Sequence, residues 1–252
     1  SPKIEASQAQ VIINATAYTA VDRAESEADI ARGINALAPG WLAQKAAAMG
    51  AAFIHFSTDY VFDGGLDRPY VETDAPNPLN VYGESKLEGE RRVQTAGDAY
   101  LILRTSWVYS LRRSSFVTKV LGWARQKSTL RLVTDQVSNP TWARMLAEVT
   151  AQLLASSPAD FTGWLRPRRG LYHLAGDGYA SRKEWAEAVL QFDPNPQEQT
   201  VTEILPAITS EFPAPAQRPL FSALDCTHFS QVFGLQLPHW RRALKLAMEV
   251  EK

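Results

Sequence analysis

Ala52-Phe53-Ile54-His55-Phe56-Ser57 is too apolar throughout to form a strand with one face in water. Runs of this kind belong to parallel sheets buried on both faces. Upstream, Val11-Ile12-Ile13-Asn14-Ala15 is a second short, β-branched run that ends in small residues. Between them a helical stretch is expected from about Ser26 to Met49, broken or kinked near Pro39-Gly40. Its apolar residues Ile30, Ile34, Leu37, Trp41 and Leu42 are spaced mainly by three and four. Gly50 is placed to stop it. Downstream, a loop rich in Gly, Pro and Asp runs from Asp63 to Asn80. A helix is expected from about Asn80 to Thr95, then strands at Tyr100–Thr105 and Leu130–Val133. Strand–helix–strand alternation with buried strands predicts an α/β fold on a doubly wound parallel sheet.

The second half changes character. Prolines become frequent after residue 150, above all between Pro194 and Pro219. Short helices are expected near Thr141–Ser156, Ser181–Gln191, Leu224–Val232 and His239–Val250, with Ser181 and Glu184 forming a capping box. The expected organisation is a Rossmann-like domain over residues 1–135. A smaller lobe over 136–252 returns some elements to the main domain.

The chain of 252 residues is long enough for a full core, and its formal net charge of −1 gives no field that would steer nucleic acid or an acidic membrane. Arg166, Arg168 and Arg169 cluster around Pro167 and read as an exposed loop. No apolar run approaches the ~20 residues of a membrane span. The single cysteine, Cys226, rules out a disulfide within the chain and suits a reducing compartment, so a cytoplasmic protein is expected.

Tyr82-Gly83-Glu84-Ser85-Lys86 sets a tyrosine and a lysine four apart, on one face of the expected helix. A free phenol has a pKa near ~10, too high for efficient proton transfer near neutrality, and a nearby ammonium lowers it. Spacing alone is weak evidence, because the chain carries a second such pair, Tyr179 and Lys183. There Ser181 reads as a helix N-cap, which leaves Tyr179 outside the helix. Tyr82 and Lys86 have what that pair lacks. Ser57-Thr58-Asp59 lies before them at the carboxyl end of a buried strand, where open α/β sheets bind ligands. Thr58 can donate a hydrogen bond to a carbonyl oxygen that gains negative charge. The same three residues would equally serve as a simple helix or turn cap.

Asn14-Ala15-Thr16-Ala17-Tyr18-Thr19-Ala20-Val21-Asp22, Ser57-Thr58-Asp59-Tyr60-Val61-Phe62-Asp63-Gly64, Pro78-Leu79-Asn80-Val81-Tyr82-Gly83-Glu84-Ser85-Lys86 and Arg104-Thr105-Ser106-Trp107-Val108-Tyr109 closely resemble the dTDP-4-dehydrorhamnose reductase family. Asp135-Gln136 with Pro140-Thr141, and Arg218-Pro219 with Ser222 and Leu224, continue the likeness over nearly the whole chain. The resemblance implies an extended short-chain dehydrogenase. Such an enzyme reduces the C4 keto group of dTDP-6-deoxy-L-lyxo-4-hexulose to dTDP-L-rhamnose with NADPH, or NADH as the alternative. It implies Tyr82 as general acid, Lys86 lowering the phenol's pKa and holding the nicotinamide ribose, and Thr58 on the carbonyl oxygen. Ala15, Ala17, Tyr18, Thr19 and Ser57, with Tyr82 and Lys86, would line the cofactor site. Thr58, Asp59, Tyr60 and Trp107 would meet the substrate, although Trp107, near a strand end, also reads as a core residue.

The departures from the family pattern matter as well. The family opens with a strand, a glycine-rich turn and a helix that hold the cofactor's pyrophosphate, and this chain begins past that segment. The expectation is a fragment, with Val11–Ala15 left as a strand with an unpaired edge. Ser138 stands where the family often has glycine. Arg144 lies near an expected glutamate, so no metal is carried over, and a homodimer is left open. The rival from another class is a non-catalytic NADP-binding subunit similar to the regulatory subunit of methionine adenosyltransferase. A third reading is another nucleotide-sugar reductase, epimerase or dehydratase.

Overall fold

A computed structural model describes Ile4 and residues 6–250. In chain order the first half contains β1 (Val11–Asn14), α1 (Val21–Ala24), α2 (Ala28–Arg32), α3 (Ala38–Ala48), β2 (Ala52–Thr58), α4 (Val81–Ala96), β3 (Tyr100–Thr105), β4 (Val108–Tyr109), α5 (Phe116–Ala124) and β5 (Thr129–Val133). The second half contains β6 (Val137–Ser138), β7 (Thr141–Trp142), α6 (Ala143–Ala155), α7 (Phe161–Leu165), β8 (Gly170–His173), β9 (Ala180–Ser181), α8 (Arg182–Gln191), β10 (Glu203–Ala207), α9 (Thr227–Phe233) and α10 (Trp240–Val250).

Strands β1, β2, β3 and β8 form one parallel sheet in that order, with Phe53 opposite Tyr100 and Thr58 opposite Thr105. Successive side chains of a strand point to opposite faces, and here both faces are covered. Phe53 and Ile102 pack on Ala43 and Ala46 of α3 and Val93 of α4. Ile54, Leu101 and Leu103 pack on Leu146, Val149 and Leu153 of α6, with Phe161 and Phe229 beyond. That two-sided burial is why β2 reads as an unbroken apolar run, and it makes the sheet doubly wound. Strand β5 does not join this sheet; it pairs in parallel with β10, whose residues come from the proline-rich stretch. A separate core forms there around Trp142, Trp185 and Trp240.

One expectation turns round. The stripe Ile30, Ile34, Leu37 and Trp41 has helical spacing, yet these side chains are 53%, 37%, 44% and 41% exposed. The inward face of this helix is built from Ala31, Asn35, Ala36, Pro39, Gly40, Ala43 and Ala46. The reason is close packing on α4: a Cβ at Gly89 would lie 2.1 Å from the Asn35 carbonyl oxygen, so only small residues fit between the helices. The break expected at Pro39-Gly40 falls one turn earlier, as a π-helical segment at Gly33–Leu37. Among the described residues no helix is long and apolar enough to cross a membrane.

Candidate functional site

Strand β2 ends at Thr58, whose hydroxyl accepts from the Tyr60 N–H at 3.2 Å and so caps a short 3-10 turn over Asp59–Val61. Helix α4 starts beside that turn. Asn80 is its N-cap, accepting from the Gly83 N–H at 2.8 Å. A Cβ on Gly83 would lie 2.2 Å from the Tyr60 carbonyl oxygen, so a glycine is what lets the helix start touch the turn. This contact brings Tyr82, in the first turn of α4, against Tyr60, edge-on at 5.7 Å between ring centroids.

Burial pushes the Tyr82 phenol above its ordinary value, with a hydrogen bond from Thr58 working the other way. Burial outweighs that bond, and the phenol is held protonated. The Lys86 ammonium turns instead to the β2 backbone, donating to the Phe56 carbonyl at 2.6 Å and lying 3.4 Å from His55 Nε2. Burial brings Lys86 down to about 8, while Glu90, one turn along α4, opposes that shift. Ser57 is buried and donates to Glu90 at 2.5 Å, and Glu90 receives two N–H groups of Arg104 at 2.7 and 2.8 Å.

Asp59 is 2% exposed. Its carboxyl accepts from Ser222 at 2.6 Å, and from Ser138 and Thr58 at 3.1 Å each. Ser138, the departure from the glycine common in the family, thus ties the end of β2 to the second core. Burial raises the Asp59 pKa to about 6. The fold therefore favours the protonated acid. That stabilising contribution is fully present below about pH 4 and is lost as pH rises through about 6. Asp59→Asn, uncharged throughout, should lack this dependence. The stability of the native chain relative to the variant is expected to fall by about 2 kcal/mol between pH 4 and 7. Denaturant midpoints measured across that range check this, and parallel curves for the two proteins would refute it.

A cavity of about 930 Å³ opens over the carboxyl ends of these strands. Ala15, Ala17 and Thr19 line it beyond β1, Ser57, Thr58, Asp59 and Tyr60 at β2, Tyr82 and Lys86 on α4, and Trp107 after β3. Of the residues expected here, Tyr18 is the one the structure does not bring to the cavity. Its hydroxyl donates to Glu27 and its backbone N–H to Asn35. Trp107 sits at φ 39°, a left-handed conformation that a bulky side chain rarely adopts. It both lines the cavity and packs on the second core, stacked on Trp185 at 5.4 Å.

Arg182, the first residue of α8, also lines the cavity, a placement that its sequence context does not show. In the sequence it stands inside the decoy pair. The structure treats that pair as expected: Ser181 caps α8 with Glu184, Tyr179 is exposed, and Lys183 pairs with Glu187. Cys226 receives the Ala175 N–H, and burial raises its thiol to about 12, the reverse of an activated nucleophile.

The likeness to known proteins agrees with this geometry. Residues 2–252 match the family described as the RmlD substrate binding domain. The dTDP-4-dehydrorhamnose reductase of Burkholderia thailandensis is 39% identical over 253 aligned positions, covering 97% of this chain and 83% of that protein. A solved dTDP-4-dehydrorhamnose reductase from Clostridium acetobutylicum superposes with a TM-score of 0.89 at 32% identity, over 99% of this chain and 84% of that one. The Bacillus anthracis enzyme, solved in complex with NADP, gives 0.88 at 31% identity, over 100% and 84%. With the Thr58–Tyr82–Lys86 corner at the strand ends and this likeness along its length, the chain belongs to the dTDP-4-dehydrorhamnose reductase family.

Proposed function

We propose that the protein reduces the C4 keto group of dTDP-6-deoxy-L-lyxo-4-hexulose to dTDP-L-rhamnose with NADPH, in the cytoplasm. The observation that carries this reading is the gathering of Thr58, Tyr60, Tyr82, Lys86 and Trp107 around one cavity at the carboxyl end of β2. Tyr82 gives its proton to the C4 oxygen as negative charge develops there. Thr58 donates to the same oxygen, so the charge is met by two preorganised groups. Tyr60 and Trp107 wall the sugar pocket, and Asp59, held by Ser138 and Ser222, fixes the turn that carries Thr58 and Tyr60.

The cavity wall fits a nicotinamide nucleotide. Ala15 and Ala17 leave it room beyond β1, and the Lys86 ammonium, with contacts to the Phe56 carbonyl and His55, keeps a donor for a ribose hydroxyl. The reduced nicotinamide, when bound, supplies the hydride. Lys86 then holds the ribose and, as a cation, steadies the phenolate that Tyr82 leaves behind.

Full-length protein mixed with NADPH and the 4-keto sugar nucleotide should consume NADPH only when the sugar is present. The product should carry the mass of dTDP-L-rhamnose. NADPH oxidation indifferent to the keto-sugar would overturn the reading, and retention of NADP with no turnover on any keto-sugar would favour the non-catalytic rival.

A further inference from the structure

Arg182 is a cation without a counter-ion. Among the described residues no carboxylate lies within ion-pair distance of it, whereas its neighbour Lys183 is paired with Glu187. What surrounds it is aromatic. Its guanidinium lies 3.5 Å from the centre of the Trp107 ring, 5.0 Å from that of Phe116 and 5.6 Å from that of Trp185. Burial lowers its pKa to about 10, so it keeps its charge at neutrality. The groups that favour the charge are the Tyr60 phenol, which also takes a hydrogen bond from it, and the Asp59 carboxyl, while Arg218 opposes it. The Asp59 carboxyl is taken up by Ser222 and Ser138, and Arg218 has its own partner in Asp22 at 2.7 Å.

A ring face attracts a cation without occupying its in-plane N–H groups. The contact with Trp107 therefore leaves N–H groups of the guanidinium available to a ligand in the cavity that both residues line. With such N–H groups arginine takes two oxygens of a phosphate. A carboxylate in the same place would have consumed those donors. The other cations lining the cavity are Lys86, committed to the Phe56 carbonyl, and Lys119 on α5.

We propose that Arg182, held on Trp107, is the anchor for the diphosphate of a nucleoside-diphosphate sugar. This rests on the reductase reading above and adds the group that recognises the charged part of the substrate. The desolvation already imposed on the guanidinium is offset when the anion binds, so diphosphate affinity is concentrated at this side chain. Capping by Ser181 and Glu184 fixes where α8 begins, and with it the backbone position of Arg182.

The test compares dTDP with thymidine by calorimetry on the full-length protein with NADP present. The native protein should prefer dTDP. Arg182→Met, which keeps an apolar stem against Trp107, should weaken dTDP by about 10- to 100-fold, the loss of a charge-assisted contact, and leave thymidine unchanged. Arg182→Lys, which keeps charge but not the planar fork, should fall between and serves if the Met variant fails to fold. Undiminished preference for dTDP in both variants, or no preference in the native protein, overturns the proposal. Binding is read without turnover, so a failure here is distinguishable from a failure to oxidise NADPH.

Discussion

Tyr82→Phe is expected to lower kcat by about 10²- to 10⁴-fold, the range that a positioned proton donor contributes. The substitution removes one oxygen and little else. The ring stays edge-on to Tyr60, and Gly83 still meets the Tyr60 carbonyl, so the start of α4 keeps its place. NADP affinity should stay within about twofold, because the side chain lost is needed for the transition state and not for ground-state binding. Tyr82 and Thr58 line the same cavity, where a carbonyl oxygen that gains charge can meet both hydroxyls. Calorimetry for NADP and steady-state rates for the keto-sugar separate the two effects. A Phe variant that turns over at the native rate would remove Tyr82 from the mechanism and pass the proton transfer to solvent or to another group in the cavity.

Much of this corner was legible in the sequence. The two-sided apolar run at β2 gave the parallel sheet, and the strand end gave the place where Thr58 meets Tyr82. The order of motifs separated Tyr82 and Lys86 from the equally spaced Tyr179 and Lys183. What remained hidden has a common cause: it depends on contacts between segments far apart in the chain. The stripe from Ile30 to Trp41 reads as a core face by spacing, but the close approach of Gly89 to Asn35 selects the small-residue face instead. Asp59 lines the cavity as expected, but its bonds to Ser138 and Ser222, some eighty and one hundred and sixty residues further on, could not be read from its own segment. Tyr18 lies within a motif yet turns to Glu27. Arg182 was masked by its position in a decoy, and only the fold lays it on Trp107. Periodicity reports on elements one at a time. Pairing across the cavity is not in it.

Glu90→Gln should destabilise the protein by about 3–5 kcal/mol, the usual result of removing one partner from a buried ion pair. Glu90 and Arg104 have side chains 2% and 4% exposed, and the pair is bidentate, with Ser57 as a third donor to the carboxylate. Arg104 projects from β3, and Glu90 from α4 one turn after Lys86, so the pair rivets the catalytic helix to the middle of the sheet. A neutral glutamine leaves the guanidinium without a counter-charge, and its Nη1 already lacks a partner. Its remaining support is the Phe62 ring, 4.9 Å away. For a domain of this size such a loss lowers Tm by about 6–20 °C. Arg104→Met should harm the protein in turn by stranding Glu90. The double variant Glu90→Gln/Arg104→Met should be more stable than either single one, because no unpaired charge is left in the interior. Chemical denaturation of the four proteins closes this cycle. Additive losses in the double variant would mean that the two side chains stabilise the fold separately, by packing, and that α4 is held to the sheet by its apolar contacts alone.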